Sequence, residues 1–176
     1  MPAVLVHGVP DTPHLWAPVR SHLSRDDVLT PALPGFVGDE PDGWKATKEA
    51  YADWLVAELE AVGEPVDLVG HDWGGILCVR LATTRPDLVR TLVVGGCPVH
   101  PDYVWHDFAQ LLQQPEVGEQ VAAGITPETM GPGLEAAGLP TDLAAEAAAR
   151  ITPTMAQCIL RLYRSAVDVG TEWAIT

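Results

Sequence analysis

Positive charge is scarce in this 176-residue chain: ten Lys and Arg stand against 24 Asp and Glu, a formal charge of −14. That balance excludes nucleic acid and anionic membrane surfaces as partners. Cysteine is also thin. Cys78, Cys97 and Cys158 are an odd number at wide, irregular spacing, with no zinc or redox motif around them. They read as buried thiols of a reducing compartment, and no metal site or cofactor is expected. No apolar run approaches the length of a membrane span. Met1-Pro2 leads straight into a short strand, so no leader is expected. No internal repeat is present. Together these absences predict a cytoplasmic protein.

What the chain does have is a globular composition, 47% hydrophobic, and enough length for one domain with a substantial core. Ala3 to Val6 reads as a buried strand closed by His7-Gly8-Val9-Pro10. Leu15 to Leu23 reads as a helix, and Val28 to Leu33 as a second strand closed by Pro34-Gly35. Tyr51, Leu55, Leu59 and Val62 fall at spacings of three and four, which predicts a helix with one apolar face ending at Gly63. Strand Val66 to Val69, a helix to about Thr84, and strand Val89 to Val94 follow. This alternation predicts a parallel sheet with helices on both faces. From Pro98 to Trp173 no strand is expected. Thr126-Pro127, Thr141-Asp142 and Thr152-Pro153 read as helix starts, each with a capping hydroxyl.

The run Val66-Asp67-Leu68-Val69-Gly70-His71-Asp72-Trp73-Gly74-Gly75 carries the chemistry. A strand that turns at once into a helix holds its central residue on a strained backbone, and side chains beside it would collide, hence the glycines. The form is Gly-x-nucleophile-x-Gly, with Asp72 at the centre. A carboxylate is anionic at neutral pH and needs no base to activate it. It can attack an alkyl carbon directly and leave a covalent ester. The bland alternative for Asp72 is a helix N-cap. For His7-Gly8 it is a turn between strand and helix. His71 precedes the nucleophile, would point away from the pocket, and is not proposed as the base.

With these residues in view, the chain resembles the alpha/beta-hydrolase fold, and within it the epoxide hydrolase and haloalkane dehalogenase branch. His7-Gly8-Val9-Pro10 and Gly70-His71-Asp72-Trp73-Gly74-Gly75 carry the resemblance. It implies a core over residues 1–97, a helical cap over 98–173, and the start of the next core segment at 174–176. It implies that the backbone N–H groups of Val9 and Trp73 form an oxyanion hole for the ester of Asp72. It implies that Tyr163, in Ile159-Leu160-Arg161-Leu162-Tyr163-Arg164-Ser165, donates a hydrogen bond to an epoxide oxygen. Ala109 stands where a second such tyrosine is usual. Tyr163 also lies in line with Met155, Ile159, Leu162 and Ala166, an ordinary core stripe. The Trp73 indole implies a halide donor or a pocket wall. Dehalogenation is the weaker option, because Val9 stands where dehalogenases commonly carry a second halide donor.

The family order of nucleophile, acid and histidine is incomplete here. Gly95-Gly96 follows Val94, with no carboxylate, and none of His7, His14, His22, His71, His100 and His106 follows the cap. The last core strands are missing. The chain therefore reads as a fragment of a longer hydrolase acting on a small apolar organic substrate. A non-catalytic small-ligand-binding protein on the same scaffold is the alternative.

Overall fold

The structure is a computed structural model that describes residues 1–97 and 100–174. The chain forms two compact units, Met1–Leu33 with Lys48–Val104 and Asp168–Thr176, and Pro34–Thr47 with Trp105–Val167.

The first unit carries β1 (Ala3–Val6), α1 (Ala17–His22), β2 (Val28–Leu29), α2 (Lys48–Val62), β3 (Val66–His71), α3 (Trp73–Thr84), β4 (Val89–Gly95) and α9 (Val169–Glu172). The four strands form a wholly parallel sheet in the order β2-β1-β3-β4. Parallel strands must be covered on both faces, and all four residues of β1 are buried. Ala3 and Leu5 pack with Trp16 and Val28. The predicted stripe of α2 is real: Tyr51, Leu55 and Leu59 are buried. In the first turn of α3 the glycines let the helix lie close to the sheet, and Trp73 through Val79 are buried.

Two elements depart from expectation. The second strand spans two residues rather than six. Pro31 and Pro34 lack the N–H that further pairing needs, and β2 lies at the sheet edge, where prolines are tolerated. The first helix opens with a 3-10 turn over Pro13–Trp16 before α1. β4 is the other outer strand among the described residues, and its Leu92, Val93 and Val94 are exposed.

The second unit carries α4 (Asp107–Gln113), α5 (Val117–Ala123), α6 (Pro127–Ala136), α7 (Thr141–Ala148) and α8 (Pro153–Arg164). Between 100 and 173 no strand is present among the described residues. Thr152 caps α8 as expected, its hydroxyl accepting the Met155 N–H at 3.1 Å. Thr141 is no cap: it is the first residue of α7, and Pro140 holds the cap position.

The loop Pro34–Thr47 joins the helical unit because α8 holds it: Arg161 donates to the Trp44 carbonyl at 2.8 Å and pairs with Glu40. Residues from Asp168 join the strand-bearing unit. There Lys48 pairs with Glu172 at 2.8 Å, and Arg80 lies over the Trp173 ring at 5.2 Å. The expected start of a core segment at 174–176 falls mostly outside the described residues, since only Ala174 is described.

Because Leu55 is fully buried on the α2 stripe, Leu55→Ala is expected to lower stability by about 2–5 kcal/mol, read as a shifted urea midpoint with unchanged slope.

Candidate active site

Asp72 sits between β3 and α3 with φ 53° and ψ −126°, a left-handed conformation that costs a non-glycine residue energy. Backbone bonds on both sides hold it there. Its N–H donates to the Gly95 carbonyl at the end of β4 (3.0 Å), and its carbonyl accepts the Ile76 N–H in α3 (3.1 Å). The flanking glycines are required by space. A Cβ on Gly70 would lie 2.5 Å from the Gly74 carbonyl oxygen, and one on Gly74 would lie 2.5 Å from the His7 carbonyl oxygen.

Asp72 occupies the N-cap position of α3, yet its side chain makes no capping bond. Its Oδ1 instead accepts the Val9 N–H at 2.7 Å. That bond crosses from the loop after β1 to the turn after β3. Gly8 permits it, because a Cβ there would lie 2.5 Å from Asp72 Oδ1. Beyond a cis Val9-Pro10 bond, the Asp11 N–H donates back to the Gly8 carbonyl at 3.2 Å and closes the loop. Trp73 is the first residue of α3 and its ring is fully buried.

His7 is buried and bonded on both ring nitrogens. Nε2 accepts the Leu33 N–H at 3.1 Å, so the ring proton is on Nδ1, which donates to the Gly8 carbonyl at 2.8 Å. Burial drives its pKa down to about 4, against a smaller opposing effect of the Gly8 bond. A neutral ring with both nitrogens engaged is a strut under the loop. His71 is exposed at the last position of β3, paired in register with Gly95.

Three acids near Asp72 went unread or unplaced in the sequence. Burial, with the opposing charge of His71 and the like charge of Asp72, pushes the Asp11 carboxyl up. Burial and then the Asp72 charge raise the Cys97 thiol and the Tyr103 phenol. Asp11 was open to discovery, lying two residues past Val9 on a loop already singled out. Cys97 and Tyr103 follow β4, and only the strand order brings that loop beside the other two. Among the described residues, no group of three His, Cys, Asp or Glu side chains is arranged to hold a metal ion, and no helix is long and apolar enough to cross a membrane.

Tyr163 belongs to the helical unit. It is buried with Trp105 (ring centroids 5.1 Å apart, 69° between planes) and His106 (6.1 Å). The stripe of Met155, Ile159, Leu162 and Ala166 is buried as well.

Comparison with known proteins agrees with this architecture. Residues 3–174 match the sequence model of the Alpha/beta hydrolase family. The chain belongs to the alpha/beta hydrolase family. A haloalkane dehalogenase of Mycolicibacterium paratuberculosis is 31% identical over 136 residues, covering 70% of this chain and 45% of that protein. Epoxide hydrolase 4 of Mus musculus is 30% identical over 122 residues, covering 62% and 33% respectively. The crystal structure of haloalkane dehalogenase DbeA from Bradyrhizobium elkani shares the fold, with a TM-score of 0.77 at 22% identity over 97% of this chain and 63% of that one. The chain thus spans about a third to a half of the length of the curated relatives it matches.

The His7 geometry has a consequence for stability against pH. The ring stays neutral in the folded protein down to about pH 4 but takes up a proton near 6.5 once unfolded. Its contribution, about 3 kcal/mol, is therefore complete above pH 6.5 and lost as pH falls toward 4. An NMR titration is expected to show one histidine with a midpoint near 4, accompanied by a falling urea midpoint over that range; a His7 ring titrating near 6.5 would contradict this.

Proposed function

We propose that this protein is a hydrolase of the epoxide hydrolase type in which Asp72 forms a covalent alkyl ester that water then hydrolyses. One observation carries the reading: the Asp72 carboxylate, at the cap position of α3, turns from the helix and takes the Val9 N–H on Oδ1. With Oδ1 held, Oδ2 is the oxygen that attacks the electrophilic carbon. Oδ1 then becomes the ester carbonyl oxygen and already lies at a backbone donor. When water adds to the ester carbon, charge develops on Oδ1, and the Val9 N–H stabilises it there. The Trp73 N–H, on the first residue of α3, is the second donor.

The backbone strain at Asp72 serves the same end. It presents the carboxylate at the carboxyl end of the sheet, where open α/β folds bind their ligands. Gly8 leaves room for the carboxylate, Gly70 and Gly74 let β1, β3 and α3 close on one another, and His7 props the Val9 loop.

Breaking the ester requires a general base to activate water, and in the resemblance that base and its acid partner follow later strands. The substrate is a small apolar organic molecule. Three free thiols suit a cytoplasmic setting. Dehalogenation is the second reading, supported by the dehalogenase relative and by Trp73 directly after the nucleophile.

Incubation with styrene oxide is expected to add one mass equivalent per chain on Asp72. Asp72→Asn is expected to abolish the adduct. Peptide mapping by mass spectrometry reads both. An adduct that survives Asp72→Asn would overturn the assignment.

A further inference from the structure

Two of the three cysteines lie on the pair of segments that hold Asp72. The Asp72 N–H donates to the Gly95 carbonyl at the end of β4, and the Asp72 carbonyl accepts the Ile76 N–H in α3. Cys97 follows Gly95 by two residues, and Cys78 follows Ile76 by two. Cys158 stands apart from them in the helical unit, its thiol donating to Glu40 Oε2 at 3.4 Å.

The Cys97 side chain lies against the first turn of α3. A Cβ on Gly75 would come 2.5 Å from Cys97 Sγ and 2.8 Å from Cys97 Cβ, so Cys97 fills the space that a side chain at 75 would take. Cys78 is three residues further along α3, on the same face, and Cβ positions at that spacing are about 5–6 Å apart. Helical side chains lean toward the N-terminus and cover the preceding turn. The Cys78 thiol therefore leans over Gly75, the place that Cys97 fills. Both thiols are free, Cys78 buried and Cys97 half-buried. Burial raises the Cys78 thiol first, and the neighbouring Cys97 raises it further.

We propose that Cys78 and Cys97 form a reversible disulfide, a peroxide-sensitive modification site that ties the chain after β4 to α3. The bridge spans the two backbone bonds that hold Asp72, and so staples the turn that carries it. The proposal is independent of what Asp72 attacks. In a reducing setting such a bridge is transient, formed by an oxidant and undone by thiols.

Hydrogen peroxide is the oxidant. Cys97, the more accessible thiol, reacts first. Its sulfur attacks one peroxide oxygen, the oxygen–oxygen bond breaks, and the thiol proton leaves in a water molecule, giving a sulfenic acid. The Cys78 sulfur then attacks the Cys97 sulfur. The sulfur–oxygen bond breaks, and the Cys78 proton leaves with the hydroxide as a second water. The two thiols lose two electrons between them, and one peroxide becomes two waters. Burial pushes both thiols up, so thiolate is scarce at pH 7 and closure quickens as pH rises.

The test treats the whole folded chain with hydrogen peroxide at pH 7 and at pH 9, alkylates the remaining thiols in denaturant, and maps peptides without reduction. Trypsin cuts after Arg80 and Arg90, which puts the two cysteines in separate peptides. Those peptides are expected to be joined, two hydrogen masses below the sum of the free forms, with Cys158 still alkylated. The joined species is expected to form about tenfold faster at pH 9 than at pH 7, and dithiothreitol is expected to restore both thiols. Over-oxidation of Cys97 to the sulfinic acid while Cys78 stays a thiol would overturn the proposal. So would a bridge to Cys158, or joining that appears only when the chain is first unfolded in urea.

Discussion

The hydrogen bond from the Val9 N–H to Asp72 Oδ1 is the constraint on which the rest of the site depends. It joins two chain segments 63 residues apart, each at the end of a strand, and it fixes one oxygen of the carboxylate on a backbone donor. To make it, the loop after β1 must approach the elbow more closely than a side chain allows, so Gly8 is bare. To hold that loop, a histidine must be buried without charge, so His7 is bonded on both nitrogens. To aim the carboxylate, Asp72 must take a left-handed backbone, and Gly70 and Gly74 clear the way.

The electrostatics follow from the same arrangement. Burial first, and the Asp72 charge as a smaller cause, disfavour the ionised forms of Asp11, Cys97 and Tyr103, and the charge of His71 partly offsets this at Asp11. The basic side chains of the strand-bearing unit are engaged elsewhere. Arg25 and Arg90 meet on Asp67, Arg85 pairs with Glu60, and Lys48 pairs with Glu49 and Glu172.

Much of this was legible in the sequence because its physical causes are local. A Gly-x-Asp-x-Gly turn between an apolar strand and a helix declares itself in ten residues, and the stripe of Tyr51, Leu55 and Leu59 follows from helical period alone. Two short signals misled. Val28 to Leu33 has the composition of a strand, but its prolines end the pairing after Leu29. Thr141 has the chemistry of a cap, but its helix begins one residue earlier. What could not be read depends on distant pairings. The loop from Pro34 shows no sign that it belongs with α8, because the Glu40–Arg161 pair spans 121 residues. That the loops after β1, β3 and β4 are neighbours depends on strand order, which a single sequence does not state.

The division of the chain bears on how such a protein can be altered by recombination. The helical unit is built from two stretches, Pro34–Thr47 and Trp105–Val167, and the strand-bearing unit from three. The contacts that bind the first stretch to the second, Arg161 with the Trp44 carbonyl and with Glu40, are specific in partner and geometry. Grafting the helices of a relative by exchanging the longer stretch alone would leave the shorter one facing a foreign α8. The exchangeable module is therefore discontinuous, and a homologous crossover at a single point cannot transfer it whole.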